Sequence, residues 1–273
     1  MHTTASDGTF SPSAAVRHAQ ALGLAALGVA DHDTLAGVDE ALAEGGRLGV
    51  EVVPAVEINT DYQGREVHIL GYYVDRTDAR LLGLLAHLRE AREDRLGAIL
   101  RRLEACGLPL ERARVLEMAG DATVGRPHVA RAMVERGYVS NVHQAFDRYL
   151  ATGRPGYVQR YRLTPEETVA AITGAGGVPV FAHPGLAGHD ELIAGLCAVG
   201  LLGLEAYYPE HSAADTIRYL QLARERGLLV TGGSDCHGPS ADHPPSMGAI
   251  RVPYEVVVTL KRAAGSRGGD IAG

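Results

Sequence analysis

Residues 26–33 read ALGVADHD, a short apolar run that ends directly in three polar residues. Such a run predicts a buried β-strand, with the polar residues at its carboxyl end. The same arrangement returns in residues 178–183 (VPVFAH) and 228–237 (LLVTGGSDCH). Because the loops at the carboxyl ends of strands converge in βα architectures, this recurrence predicts an α/β fold whose functional site lies at that rim.

Other apolar runs complete a pattern in which strands alternate with helices. The predicted strands are residues 26–30, 51–58, 66–74, 178–182, 201–207 and 228–232. Helical spacing and N-terminal caps predict helices from Ser11 or Ser13 to about Leu22, and over residues 35–48, 164–173, 191–199 and 213–226. This alternation predicts βα units around a parallel sheet or barrel.

Residues 78–162 break the alternation, since they read as helical throughout and include an arginine-rich amphipathic run over residues 81–103. We interpret them as a helical insertion that caps the active site, with the charged face of the run in solvent. The barrel is then discontinuous, formed by residues 1–77 and 163–262. Residues 263–273 are small and polar, and they are predicted to form a flexible tail.

Composition excludes several classes of protein. Three scattered cysteines cannot build a disulfide framework or a thiolate zinc cluster. Lys261 is the only lysine, which argues against Schiff-base chemistry and a Walker-type phosphate loop. The net charge of −7 argues against a broad basic surface for duplex nucleic acid. The sequence shows no membrane span and no secretory signal, so we expect a soluble cytoplasmic protein without a membrane partner.

Imidazoles and carboxylates concentrate near the predicted strand ends. Taken singly, a histidine after a strand is usually a hydrogen-bonded loop residue. Taken together, the candidates are numerous enough to hold two or three divalent cations. They are His2, Asp7, His32, Glu57, His68, His183, Asp235 and His237. Mixed histidine and carboxylate ligation suits Mn²⁺, Fe²⁺ or Zn²⁺ and does not choose among them.

Six motifs in order along the chain resemble those of the PHP-domain phosphoesterases. They are residues 2–9 (HTTASDGT), 31–34 (DHDT), 56–58 (VEI), 66–72 (EVHILGY), 182–185 (AHPG) and 233–237 (GSDCH). Within that family the chain is most similar to the stand-alone enzymes that hydrolyse nucleoside 3′,5′-bisphosphates and short RNA from the 5′ end. Those enzymes carry a helical insertion with a Gly-Arg-Pro-His stretch, here residues 125–128. The resemblance implies a distorted (β/α)7 barrel, the PHP fold, with a metal cluster at its C-terminal mouth.

The resemblance also implies how the ligands are shared among the cations. The first would be bound by His2, Glu57 and Asp235, the second by Glu57, His68 and His183, and the third by Asp7, His32 and His237. Glu57 would bridge the first two cations, and a water shared between them becomes a hydroxide nucleophile near neutral pH. Catalysis is therefore expected to depend on Glu57, His183 and Asp235.

The substrate implied by the resemblance is a small phosphorylated nucleotide or short oligonucleotide. Arg126 and His128 would bind its second phosphate, because a guanidinium matches phosphate oxygens with two parallel bonds. Arg154 and His211 are further candidates for substrate binding. We expect hydrolysis of the 3′-phosphate of nucleoside 3′,5′-bisphosphates, with trimming of RNA from its 5′ end as a further activity. The alternatives are a histidinol-phosphate phosphatase, which needs only one phosphate pocket, and a catalytically silent metal- or nucleotide-binding protein.

The opening motif departs from the family pattern. That pattern begins with two histidines one residue apart, whereas here Met1 stands between the two positions and only His2 is present. Either the start codon was assigned too late, or the first cation has one ligand fewer. The rest of the cluster is not affected.

Overall fold

A curled sheet of six strands organises the larger part of the molecule in this computed structural model, which describes residues 1–120, 124–159, 161–239 and 246–266. The strands are β1 (Ala26–His32), β2 (Glu51–Tyr62), β3 (Arg65–Tyr72), β4 (Val178–Phe181), β5 (Gly203–Tyr207) and β6 (Leu229–Gly232). Their order in the sheet is their order in the chain. Every predicted strand is present, with ends that differ by up to four residues; β2 continues past Ile58 to Tyr62.

Strand β3 runs against the direction of its neighbours. The pairs β1–β2, β4–β5 and β5–β6 are parallel, as βα units require, but β3 is antiparallel to both β2 and β4. The cause is the two-residue turn after β2, where Gln63 and Gly64 have φ of 52° and 81°. Positive φ at both central residues is the geometry of a type I′ hairpin turn, which joins antiparallel strands. The sheet is therefore mixed, whereas the alternation of strands and helices predicted a parallel sheet or barrel.

The α/β class is confirmed, because the strands of one curled sheet alternate with helices. Six strands are present among the described residues, where the (β/α)7 barrel has seven. Strands β1 and β6, each parallel to its neighbour, are the first and last strands of this sheet.

Helices flank the strands and fill the long segment before β4. They are α1 (Pro12–Ala21), α2 (Val38–Leu48), α3 (Ala79–Ala105), α4 (Arg112–Ala119), α5 (Arg126–Glu135), α6 (Val142–Ala145), α7 (Pro165–Gly174), α8 (Pro184–Ala187), α9 (Leu192–Ala198), α10 (Ala213–Arg226) and α11 (Glu255–Gly265). A π-helical turn, Phe146–Leu150, continues α6. Among the described residues, no helix has the length and apolarity needed to cross a bilayer.

Helix ends follow from local side-chain chemistry. Ser11 is the N-cap of α1, since its hydroxyl accepts a hydrogen bond from the Ala14 amide at 3.2 Å. Thr164 and Ser212 start α7 and α10 with capping boxes. Gly227, at φ 66°, ends α10 in the left-handed conformation that glycine adopts without a steric penalty. These signals explain why the helix predictions hold to within about three residues.

The chain divides into two compact units, Met1–Leu85 with Arg162–Gly273, and Ala86–Tyr161. In the first unit, buried residues such as Val178 and Val180 of β4 pack with Leu260 and Ala264 of α11. In the second unit, α3, α4 and α5 bury a core of their own that includes Leu103. That residues 78–162 form an insertion domain capping the active site stays a prediction.

The carboxyl end of α11 differs from the sequence-based boundary. The predicted flexible tail begins at Ala263, whereas the helix continues to Gly265. Ala263 and Ala264 are good helix formers, and Ala264 is buried against the sheet cluster. The remaining part of the predicted tail, residues 267–273, lies outside the described residues.

Candidate metal centre

Strand register brings several of the candidate ligands to one place. His32, the last residue of β1, pairs directly with Glu57 of β2. Asn59, two residues beyond Glu57, pairs with His68 of β3. Alternate residues of a strand point to the same face, so the Glu57 and His68 side chains lie on one side of the sheet. The cluster is thus built on rigid strands rather than on loops alone.

Glu57 is the centre of this cluster. Its side chain is only 4% exposed, and both carboxylate oxygens face imidazoles. Oε2 lies 2.8 Å from His2 Nε2 and 3.7 Å from His32 Nδ1. Oε1 lies 2.7 Å from His68 Nδ1 and 3.3 Å from His183 Nε2. A carboxylate with two histidines on each oxygen has the arrangement required to bridge two cations.

The other carboxylates complete the cluster at its outer side. Asp235 Oδ1 lies 3.0 Å from His2 Nε2. Asp7 Oδ2 lies 3.7 Å from His32 Nε2, and Asp7 Oδ1 lies 3.4 Å from His237 Nε2. Three groups of residues each have ligand atoms that all lie within 4.8 Å of one another. The groups are His2 with Asp7, His32 and His237; His32 with Glu57 and His68; and His2 with Glu57 and Asp235.

This grouping differs in detail from the one that the resemblance implies. The set His2, Glu57 and Asp235 is the same in both. In the second set His32 stands beside Glu57 and His68, while His183 adjoins the set through its Nε2, 3.3 Å from Glu57 Oε1. The structure brings all the predicted metal ligands into one cluster, and their division among individual cations remains a prediction.

Unpartnered nitrogens test whether the cluster suits cations. Within the described residues, the Nδ1 atoms of His2, His32 and His183 are buried without a hydrogen-bond partner. A buried polar atom without a partner is costly. Nδ1 of His2 lies 3.7 Å from Asp7 Oδ1, and Nδ1 of His32 lies 3.7 Å from Glu57 Oε2. Both distances are too long for a hydrogen bond, and a cation bound between nitrogen and oxygen would remove the cost. The nitrogen and carboxylate donor set is the one preferred by Mn²⁺, Fe²⁺ and Zn²⁺. The residues therefore fit divalent cations.

The electrostatics of the cluster are strongly coupled. Burial alone lowers the pKa of His2, but its hydrogen bonds to Asp235 and Glu57 outweigh burial and raise the pKa to about 10. Burial and the charge of His2 lower the pKa of His32 to about 4. Burial raises the pKa of Glu57, yet the histidines around it outweigh burial and hold that pKa well below its usual range. Glu57 thus stays ionised, as a bridging ligand must.

Backbone strain marks the loops that carry the ligands. Asp33, His183 and Asp235 have φ of 54°, 29° and 46°, in the left-handed region that residues with a Cβ avoid. Each such residue costs about 1–3 kcal/mol and persists only where surrounding contacts hold it. Asp33 is held between strands, because its amide donates to Glu57 O and its Oδ1 accepts from the Asn59 amide. It orients the strand that carries Glu57, and it is not among the grouped ligands.

Asp31 anchors the loop that carries His2 and Asp7, a role that the sequence did not indicate. Its carboxylate is buried and accepts from the Thr3 amide at 2.6 Å, from Thr3 Oγ1 at 2.8 Å and from Ser6 Oγ at 2.6 Å. Three donors on one buried carboxylate fix the loop to the end of β1.

Three more supporting side chains were not predicted. Tyr208 Oη donates to Asp235 Oδ2 at 3.1 Å. His68 Nε2 lies 3.2 Å from Glu66 Oε1, and the other Glu66 oxygen, Oε2, pairs with Arg162. Glu205 on β5 accepts from the His183 amide, and burial raises the pKa of Glu205 to about 7. Two of them carried a sequence signal: Glu66 is the first residue of the motif of residues 66–72, and Glu205 is the one charged residue in the apolar run of residues 201–207.

His211 has both ring nitrogens engaged by backbone. Nδ1 lies 3.0 Å from Ala206 O, and Nε2 accepts from the Gly185 amide at 3.1 Å. This pattern requires the neutral Nδ1–H tautomer. As placed, His211 supports the loop after β4, and a contact with substrate would require one of these bonds to break.

The remaining predicted substrate residues lie in the second unit. Arg126 Nη1 donates to Leu150 O, and its guanidinium stacks on the Phe146 and Tyr157 rings at 5.6 and 5.7 Å. His128 Nδ1 accepts from the Gly125 amide at 3.0 Å. Arg154 is exposed in a turn. The structure gathers Arg126 and His128 at the start of α5, and their contact with substrate stays a prediction.

Comparison with known proteins gives a consistent family. The PHP domain model matches residues 1–158. A 5′-3′ exoribonuclease of Haemophilus influenzae is 36% identical over 87% of this chain and 88% of that protein. A 3′,5′-nucleoside bisphosphate phosphatase of Chromobacterium violaceum is 32% identical over 88% of this chain and 86% of that protein. The crystal structure of a protein from Bifidobacterium adolescentis, described as a metal-dependent phosphoesterase, matches with a TM-score of 0.84 and 32% identity, covering 99% of this chain and 95% of that one.

Proposed function

Since the chain belongs to the PHP domain family and is a phosphoric ester hydrolase acting on nucleotide phosphoesters, we propose that its preferred substrate is a nucleoside 3′,5′-bisphosphate and that it releases the 3′-phosphate. The observation that carries the hydrolytic part is Glu57, whose two oxygens each face two imidazoles. The similarity to a bisphosphate phosphatase and the phosphate-binding chemistry of Arg126 support the substrate.

The cluster would hold the cations through nitrogen and carboxylate oxygen. Glu57 would contribute to two of the ion sites, with His2 and Asp235 on one side and His68 and His183 on the other. Cations bound there would polarise the phosphoryl oxygens and lower the pKa of a coordinated water. Asp7, His32 and His237 would serve a third cation.

The chain's own residues orient this chemistry. Tyr208 donates its hydroxyl proton to Asp235 and fixes the direction of that carboxylate. Glu66 bonds the far nitrogen of His68, so its near nitrogen is directed at Glu57. Both contacts hold ligand side chains in place before substrate arrives, and this lowers the reorganisation that the reaction requires.

Arg126 suits the proposed second phosphate. Its guanidinium is already held by Leu150 O and by two aromatic rings, so it loses little side-chain entropy when it binds an anion. A planar guanidinium forms two parallel bonds to phosphate, which a single positive charge on lysine does not.

The test compares kcat/KM for adenosine 3′,5′-bisphosphate with kcat/KM for 4-nitrophenyl phosphate and histidinol phosphate in Arg126→Ala. We expect a loss of about 2–3 kcal/mol, or about 30- to 150-fold, for the bisphosphate and little change for the two monophosphates. Arg148→Ala, an exposed arginine of the same unit that stacks on Tyr149, is the matched control. An equal loss for all three substrates would refute the assignment, and wild-type preference for histidinol phosphate would refute the proposed substrate.

A further inference from the structure

Glu205 is a buried carboxyl group that the proposed reaction does not use. It lies on β5 between Leu204 and Ala206, which are fully buried, and is itself 6% exposed. Burial of a carboxyl group in a strand of an otherwise apolar interior is unfavourable unless its oxygens find partners. Its contacts therefore indicate what it does.

One Glu205 oxygen holds the backbone of a candidate metal ligand. Oε2 accepts from the His183 amide at 3.0 Å. His183 has φ 29° and ψ 58°, a conformation that costs energy for a residue with a Cβ. The next residue, Pro184, has no amide hydrogen and cannot contribute a donor to this turn. Glu205 thus supplies a contact that keeps the strained turn in place.

The other end of His183 faces the centre of the cluster. Its Nε2 lies 3.3 Å from Glu57 Oε1. The direction of the imidazole therefore depends on the strained backbone of the same residue. Rotation of the backbone at position 183 would move the imidazole away from Glu57. Glu205 Oε1 lies beside Gly233, where an added Cβ would come within 3.4 Å, in the loop that leads to Asp235.

The hydrogen bond described for Glu205 is to backbone: its Oε2 accepts from the His183 amide.

We propose that Glu205 is a positioning residue, which fixes the strained His183 backbone by accepting its amide hydrogen and so aims the His183 imidazole at Glu57. The inference deepens the proposed function and rests on it for the identity of the ligand cluster. The essential property is an acceptor at the correct reach, not the negative charge.

Two conservative variants separate reach from charge. Glu205→Gln keeps an oxygen at the same distance and removes the charge, whereas Glu205→Asp keeps the charge and withdraws the oxygen by one methylene. Thr231→Val, a buried residue paired with Glu205 on β6, is the control for a polar-group change at the same level of the sheet. Metal-free thermal unfolding shows whether each variant is folded.

The first readout needs neither metal nor activity. Hydrogen exchange of the His183 amide, measured by NMR on the metal-free protein, should be slow in wild type, in Glu205→Gln and in Thr231→Val, and fast in Glu205→Asp. Slow exchange in Glu205→Asp, or fast exchange in Glu205→Gln, overturns the proposal. A wild-type protein without phosphatase activity would refute the proposed function but leave this measurement decisive.

The second readout is the Mn²⁺ dissociation constant from electron paramagnetic resonance. Glu205→Asp should weaken at least one site by about 10- to 100-fold, the size typical of a lost supporting contact, while Glu205→Gln binds as wild type does. In the His183→Ala background, Glu205→Asp should cause no further loss. Weakening in Glu205→Gln as large as in Glu205→Asp, or an undiminished further loss in the His183→Ala background, overturns the proposal.

Discussion

Glu57 shows how much a single side chain contributes at this site. It is almost completely buried, and His2, His32, His68 and His183 all lie within 4 Å of its oxygens. Removing its charge therefore affects every cation site that shares it, whereas a change at one histidine affects fewer contacts.

The prediction at this scale is that Glu57→Gln retains the fold but loses metal and activity. The amide has nearly the same volume as the carboxylate, so unfolding of the metal-free protein should remain cooperative. Bound Mn²⁺ per chain should fall, and phosphatase turnover should fall at least about 100-fold, because a bridging charge is removed from two cations.

Elemental analysis and phosphate release measure the two effects, with Glu255→Gln, an exposed glutamate of α11, as the control. Full activity of Glu57→Gln in the absence of added metal would contradict the claim that catalysis takes place at this cluster.

At the scale of elements, one carboxylate links helix α11 to the sheet in addition to their apolar contacts. Glu51, the first residue of β2, accepts from Tyr254 Oη at 2.6 Å and pairs with Lys261 Nζ at 2.8 Å. Burial raises the pKa of Glu51, but Lys261 and Tyr254 outweigh burial, and the net pKa lies below the usual value of 4.5. Ionised Glu51 therefore stabilises the folded state.

The pH dependence follows from this direction. A lowered folded-state pKa contributes stability that is present above the unfolded pKa and is lost as pH falls through the folded-state value. Glu51→Gln should therefore be less stable than wild type by about 1 kcal/mol at pH 7, a small value because Lys261 is 43% exposed.

Urea unfolding of both proteins between pH 7 and pH 3 measures this difference, which should shrink toward zero at the acidic end. Glu255→Gln, on the helix that carries Lys261, is the control. A difference that is constant over the range would show that the packing of residue 51, not its charge, stabilises the contact.

At the scale of the whole molecule, the amino terminus extends the sheet beside β1. The Met1 amino group donates to Gly28 O at 3.1 Å, and the Ala30 amide donates to Met1 O at 3.0 Å, which is the alternation of a parallel strand pair. A cavity of about 240 Å³ lies alongside, lined largely by apolar residues of β1, of α11 and of the segment between β6 and α11.

Adding Asp-Leu-His ahead of Met1 should therefore increase both stability and metal content. The added residues would continue the pairing along β1, and the new histidine would lie two residues before His2, on the same side of the strand. Asp-Leu-Ala is the matched extension, which keeps the backbone pairing and removes the imidazole.

We expect both extensions to raise the unfolding midpoint and only the histidine extension to increase bound metal per chain. Elemental analysis and thermal unfolding of the three proteins measure these effects. Equal metal content in both extended proteins would show that an imidazole at this position is not a ligand.

The sequence by itself determined the secondary structure and the set of candidate ligands. Apolar runs, caps and glycine ends are local signals, so helix α10 has the predicted bounds and β1 starts at the predicted residue. The ligand residues were identifiable because several short motifs occur in order along the chain. The resemblance that these motifs carry is confirmed by the family match and by the relatives.

Only the tertiary structure decided how these parts meet. The antiparallel direction of β3 depends on a two-residue turn, and the supporting contacts of Asp31, Tyr208 and Glu205 join residues distant in sequence. Such contacts depend on strand register and chain path, which local propensity does not encode. For this reason the sequence predicted Glu57 and His183 as ligands. The hydrogen bond from the His183 amide to the Glu205 carboxylate was not predicted, because it depends on the pairing of β4 with β5.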